Sequence, residues 1–283
     1  MTVKSIQSPF HGRPVKFGRK RPVALNRYAL RLQSYVTQKL PLPPPRCDYS
    51  TAARPSLSNI YLNDLLGDCV IAGGAHVRGV TSGGAGNLVL FTKEEIIRMY
   101  SAIGGYDPRA PLLPDGSNPT DQGCDEHTAL EYWVKYGFTD SVKLAGWLAV
   151  DATNEVEVRT AIYLFENVFF GVELPEQWVK PFPEGPGFLW DIAGNPVPEN
   201  GHCFIATGFD ERGPAIDTWG MAGSISWKAV ARYAVPSQGG ALYALLSPDM
   251  IARARAKAPN GFNWAQLIAD FDALGGNAAR LAV

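Results

Sequence analysis

The stretch Asn63-Asp64-Leu65-Leu66-Gly67-Asp68-Cys69-Val70-Ile71 decides how this chain is read. Gly67 permits a tight turn, and Asp68 is a residue type that caps helices. The small apolar run 70–80 that follows has the texture of a buried helix. The Cys69 sulfur then lies at a helix N-terminus. The positive end of the helix dipole, helped by a nearby imidazolium, favours the reactive thiolate there. The same residues also fit a bland alternative, a small buried cysteine at the start of a core helix.

Working outward, three more elements complete a reactive set. Asn200-Gly201-His202-Cys203-Phe204-Ile205-Ala206 reads as a strand opened by a histidine. Histidine is the usual base for a thiol nucleophile because its pKa lies near working pH. Three of the four histidines fit the role poorly: His11 lies in a basic arm, His76 two turns along the Cys69 helix, and His127 after an acidic loop. His202 is the base by elimination. Ala215-Ile216-Asp217-Thr218-Trp219-Gly220 reads as an antiparallel return strand. It would place Asp217 to fix the His202 tautomer, with Trp219 shielding the pair from water. Asn63, six residues before Cys69, offers a side-chain N–H. With the Cys69 backbone N–H it would form an oxyanion hole. The competing readings are a satisfied core histidine for His202 and a turn aspartate before a core tryptophan for Asp217.

With 283 residues, 46% of them hydrophobic and 19% charged, the chain is neither disordered nor fibrous. No run of about 18 apolar residues exists, so no membrane span is expected. No apolar segment of secretory type opens the chain, and the expected compartment is the cytoplasm. Four cysteines (Cys47, Cys69, Cys124, Cys203) are too few for a disulfide scaffold. Cys124 and His127 lack the second pair that a zinc site needs, so neither metal nor cofactor is expected.

The net charge of −1 conceals a split. Residues 1–58 hold eleven Lys and Arg against one acid, Asp48, a net of +10; the rest carries −11. With eight prolines, residues 1–58 read as a basic extension, helical around 25–39 and otherwise extended. Three fates are open for it: a solvated tether, an arm that docks on an acidic protein or a nucleic acid, or an arm that wraps its own acidic domain or enters its cleft. The domain itself spans residues 59–247, with a helical half (59–150) and a strand-rich half (151–247). Residues 248–283 form a helical tail. Thr92-Lys93-Glu94-Glu95 is a capping box, Glu126–Tyr136 a helix ending at Gly137, and Asn154–Glu166 another helix. Strands are expected at 168–174, 203–209, 215–217 and 241–246. Helices first and strands later imply an α+β fold with an antiparallel β half.

In the order Asn63, Cys69, Gly201-His202 and Asp217-Thr218-Trp219-Gly220, the chain resembles the papain-like cysteine peptidase superfamily. The spacings of 133 residues from Cys69 to His202 and 15 from His202 to Asp217 also resemble that family. Gly123-Cys124 with its following helix is similar to the family's Gly-Cys segment. The chain departs from the pattern at Asn63, where the family usually has Gln, at Asp217, where it usually has Asn, and at Leu66, where a disulfide-forming Cys would stand. The Gly-Asp-Cys lead is similar to that of the double-glycine leader peptidases. The resemblance implies a papain-like fold and a thiol-dependent hydrolase acting on a peptide or protein substrate. Cys69, His202 and Asp217 would be its triad and Asn63 its oxyanion donor, with Trp219 and Gly201 against substrate. The alternative is a catalytically silent module that docks through the basic arm.

Overall fold

A computed structural model describes residues 3–22, 30–40, 42–258 and 260–274. The first elements are short: the hairpin β1 (Ser5–Ser8) and β2 (Arg13–Lys16), then β3 (Leu30–Arg31), β4 (Cys47–Asp48) and α1 (Arg54–Leu57). Three helices follow, α2 (Cys69–Gly84), α3 (Lys93–Gly104) and α4 (Glu126–Lys135). The strand-rich part holds β5 (Gly146–Ala149), α5 (Glu155–Phe165), β6 (Val168–Pro175), β7 (Phe188–Trp190), β8 (Pro196–Phe209), β9 (Pro214–Thr218), β10 (Met221–Ile225), α6 (Trp227–Tyr233) and β11 (Ala241–Leu246). Helices α7 (Pro248–Lys257) and α8 (Trp264–Ala273) close the described chain.

Strands β3 to β11 form one sheet in the order β3-β5-β11-β6-β8-β9-β10-β7, with β4 paired to β8. Neighbours run antiparallel except β3 with β5 and β7 with β10. The architecture is α+β. Both faces of the sheet are covered, which is why the central strands read as nearly unbroken apolar runs rather than as alternating ones. Alternation still sorts side chains between two cores. Phe169, Cys203, Ile205 and Leu245 face the core that holds α2, α3 and α4. Phe170, Phe204, Ala206, Ile216 and Leu246 face the core under α5, α6, α7 and α8.

Helix α2 is buried from Cys69 to Gly83, as its small apolar sequence implies. Glycine at position 74 is required by packing, because a Cβ there would strike the Trp133 indole. The capping box at Thr92 forms as expected, and Asn154 and Asp125 cap α5 and α4. The described part of residues 1–58 lies against the domain rather than apart from it. Strands β3 and β4 join the sheet, and Val15 and Phe17 are buried in its core. The helix expected around 25–39 is not found at 30–39, where a two-residue strand is followed by a 3-10 turn (Leu32–Tyr35); residues 23–29 lie outside the described ones. Leu30 instead extends the sheet beside Leu148. In the segment 248–283, Met250, Ile251, Ala254, Leu267 and Phe271 pack into the same core as the sheet.

Candidate active site

Cys69 is the first residue of α2, as the sequence suggested. Asp68 stands at the N-cap but makes no capping hydrogen bond, which corrects the expected cap. Burial, with Asp121 and Asp64 nearby, raises the Asp68 carboxyl well above the usual range, which disfavours the charged form a capping carboxylate would use. The Cys69 thiol lies within the core, near the backbone of Cys203. Burial is the largest influence on it and pushes its pKa up, outweighing the backbone contact and the cation of Arg19. Cys124 and Cys203 are raised for the same reason. Asn63 is buried on the preceding turn, and its amide donates to the Leu66 carbonyl at 3.1 Å.

His202 occupies β8 one residue before Cys203, so the two side chains leave opposite faces of the strand. Cys203 faces α2, while the His202 ring stacks on Trp219 at 3.8 Å and 14° and contacts Phe204 and Phe17. Among the described residues Nδ1 of His202 has no hydrogen-bond partner, so no hydrogen bond joins it to Cys69. Burial depresses the His202 pKa well below its ordinary value, which keeps the ring neutral. Nε2 lies 2.6 Å from the hydroxyl of Thr218, not from Asp217.

The reason is a bulge. Register along β8 and β9 shifts between Ala206 and Gly208, and beyond it Asp217 pairs with Ile205. One extra residue exchanges the two faces of a strand. Without the bulge Asp217 would share the face of His202; with it Thr218 does, and Asp217 turns toward Arg54 on the helical side. Burial lifts the Asp217 carboxyl to about 8, and Arg54 only partly opposes this. No sequence signal marks that bulge, so Thr218 was missed.

The remaining feature is the N-terminal arm. Residues 16–21 run through a groove walled by Cys124 on one side and Gly201 on the other. The N–H groups of Gly18 and Arg19 both donate to the Gly201 carbonyl at 3.2 and 3.1 Å. On the other side Cys124 N–H donates to the Gly18 carbonyl and Lys20 N–H to the Cys124 carbonyl, each at 3.0 Å. The Trp219 indole N–H donates to the Lys16 carbonyl at 3.1 Å, and Lys16 N–H to the Asn63 carbonyl at 2.8 Å. Glycines make the close approach feasible. A Cβ on Gly201 would strike the Arg19 carbonyl, and Gly123, at φ +73°, passes against the Gly18 carbonyl. Gly201 and Trp219 therefore both bind peptide backbone here, that of the arm. The Phe17 ring packs edge-on against His202 and Trp219.

Among the described residues, five bases of the extension pair with carboxylates of the same chain: Lys4 with Glu176, Arg13 with Asp64, Lys16 with Asp121, Arg19 with Glu126 and Arg21 with Glu173. The charge split between residues 1–58 and the rest is thus in part an internal complementarity. His76 and His127 serve packing: His76 meets the Asn59 carbonyl at 2.9 Å and His127 the Tyr243 hydroxyl at 2.5 Å. Among the described residues no three His, Cys, Asp or Glu side chains converge as metal ligands would, and no helix is long and apolar enough to cross a membrane.

By sequence, the chain matches no protein-family model and no curated protein. By structure it is similar to xylellain, a cysteine protease from Xylella fastidiosa, with a TM-score of 0.61 at 12% identity over 87% of this chain and 98% of that one. The fold is papain-like. Digestive procathepsin L 3 from Tenebrio molitor larval midgut gives 0.56 at 14% identity over 81% and 75% of the two chains. Procathepsin B S9 from Trypanosoma congolense gives 0.51 at 12% over 79% and 85%.

Proposed function

We propose that the chain is a cysteine peptidase whose substrate groove is filled by its own N-terminal arm. The observation that carries this reading is the arm itself: an extended peptide held by main-chain hydrogen bonds from Cys124 on one wall and Gly201 on the other, next to Cys69 and His202. With the arm withdrawn, water and substrate reach both residues. Rehydration then lowers the Cys69 pKa and raises that of His202, reversing the two effects of burial. To reach the thiol, the His202 ring, with its free Nδ1, then has to leave its stack on Trp219 and swing to the α2 side of β8.

His202 takes the Cys69 thiol proton as the sulfur attacks the peptide carbonyl carbon, forming a C–S bond while the oxyanion is held by the Cys69 N–H and the Asn63 amide. Each such donor is worth about 2.7–4 kcal/mol in the transition state. His202 gives its proton to the leaving nitrogen as the C–N bond breaks. It then takes a proton from water, which attacks the acyl-enzyme and releases Cys69. Thr218 orients His202 through Nε2, the place that Asp217 would hold in the reading from sequence.

The silent-module reading draws on the absence of a Cys69–His202 hydrogen bond in the closed arrangement. A peptidyl thiol-reactive electrophile separates the two. Phe17→Ala removes the ring that caps His202 and should loosen the arm. In that variant Cys69 should be labelled at neutral pH at least tenfold faster than in wild type, ahead of Cys47, Cys124 and Cys203. If the arm becomes susceptible to trypsin and Cys69 still does not react, the peptidase reading fails.

A further inference from the structure

Among the described residues of the arm, Arg19 is the one whose charge is fully enclosed. Its side chain is 1% exposed and that of Glu126, the first residue of α4, is 0% exposed. Arg19 Nε donates to Glu126 Oε1 at 2.5 Å, and Nη1 donates to the Gly239 carbonyl at 2.5 Å. The cavity around them is made by omission. Gly171 on β6 faces it, and a Cβ there would fall on Glu126 Oε1 and on Arg19 Nε. Cys203, the cross-strand partner of Gly171, keeps the neighbouring wall small. Among the described residues Glu126 Oε2 and Arg19 Nη2 have no hydrogen-bond partner, so the carboxylate has acceptor capacity to spare.

A carboxylate is not left in such a place without a cation, because desolvation would otherwise force it out or neutralise it. The geometry asks for more than a charge. A planar guanidinium reaches the Glu126 oxygen and the Gly239 carbonyl at once, and a lysine ammonium is a single point. Around Arg19 the main chain that delivers the side chain is held by backbone groups of Cys124 and Gly201, which read no sequence. Two positions on, Arg21 leaves the same side of the extended backbone and forms a bidentate pair with Glu173 at the groove's rim.

We infer that the Glu126 cavity is an arginine-reading subsite: it takes the guanidinium side chain of an extended peptide, and Arg19 is its occupant in cis. This deepens the peptidase reading, on which its role in substrate choice rests, by naming the substrate class as peptides with an arginine at the position that lies between Cys124 and Gly201. Glu126, Gly171 and the Gly239 carbonyl set that preference.

Chemical rescue in the full-length chain tests it. Arg19→Ala deletes the atoms of ethylguanidinium from the cavity and should lower Tm by about 10 °C. Ethylguanidinium should restore Tm in a saturable manner, and ethylammonium should not. Wild type, whose cavity is filled, and Arg19→Ala/Glu126→Gln, which has no buried charge to meet, should not respond. Equal responses to the two cations, or no greater response than wild type, overturn the subsite. If Arg19→Ala does not fold alone, refolding on addition of ethylguanidinium supports the subsite; failure to refold while the double variant folds overturns it. Arg19→Lys keeps the charge without the fork, and a Tm equal to that of wild type would remove the guanidinium preference. The readout is stability, so it does not depend on Cys69. Rescue with an unreactive Cys69 leaves the subsite standing and the peptidase reading lost.

Discussion

At the scale of single residues, His202, Thr218 and Asp217 show how one strand position redistributes roles. Asp217 has an ordinary pKa of 3.8 and is lifted to about 8 by burial. Between those values the folded protein keeps a proton that the unfolded chain has released. Its contribution to stability is therefore complete below about pH 4 and is lost as pH rises through about 8. Asp217→Asn should flatten the stability–pH profile across that window and stabilise the protein above pH 8, each pKa unit being about 1.4 kcal/mol. Thr218→Val leaves Nε2 of the buried His202 unpaired and should cost about 1–3 kcal/mol at every pH. Denaturant unfolding of both variants at pH 5 and pH 9 reads the difference. A loss of stability in Asp217→Asn at pH 9 would mean that the carboxylate is ionised and paired.

At the scale of elements, the walls of the groove were more legible than its contents. Helix α2 could be placed from Gly67-Asp68-Cys69, and β8 and β9 from their apolar runs on either side of a turn. The β8–β9 bulge could not, because an inserted residue leaves no mark in hydrophobicity on strands buried on both faces. Position 201 carries the clearest consequence of close backbone approach. Gly201→Ala would push a methyl group into the Arg19 carbonyl and release the two amides that the Gly201 carbonyl holds. Hydrogen exchange at Gly18 and Arg19 should then quicken at least tenfold while exchange in α2 is unchanged. Unchanged exchange at both amides would show that the arm's main chain is held by other contacts.

At the scale of the whole molecule, the arm is held by pairs of very different worth. Arg13 and Arg21 have side chains 54% and 56% exposed, and pairs of that kind contribute about 0–1 kcal/mol and weaken in salt. The Arg19–Glu126 pair is out of reach of salt. At about 1 M salt, where screening extends only about 3 Å, the arm should remain docked, and Arg19→Ala should release it even at low salt. Limited trypsin digestion at residues 13–21 measures this. Rapid cleavage of wild type at high salt would mean that the exposed pairs, not the buried one, hold the arm.

By itself the sequence determined the cysteine at a helix start, the α+β succession and the opposed charges of residues 1–58 and the remainder; it placed a strand after His202, though β8 begins at Pro196 and carries His202 in its middle. These follow from local propensity, periodicity and composition, all of which act along the chain. Only the tertiary structure decided which of Asp217 and Thr218 meets His202, that Cys69 and His202 lie apart and dry, and that Phe17 and Arg19 fill the groove. Those outcomes depend on strand register and on contacts between residues more than a hundred positions apart. The basic arm had several acidic partners open to it, and the cavity left by Gly171 selects which base is buried against which acid.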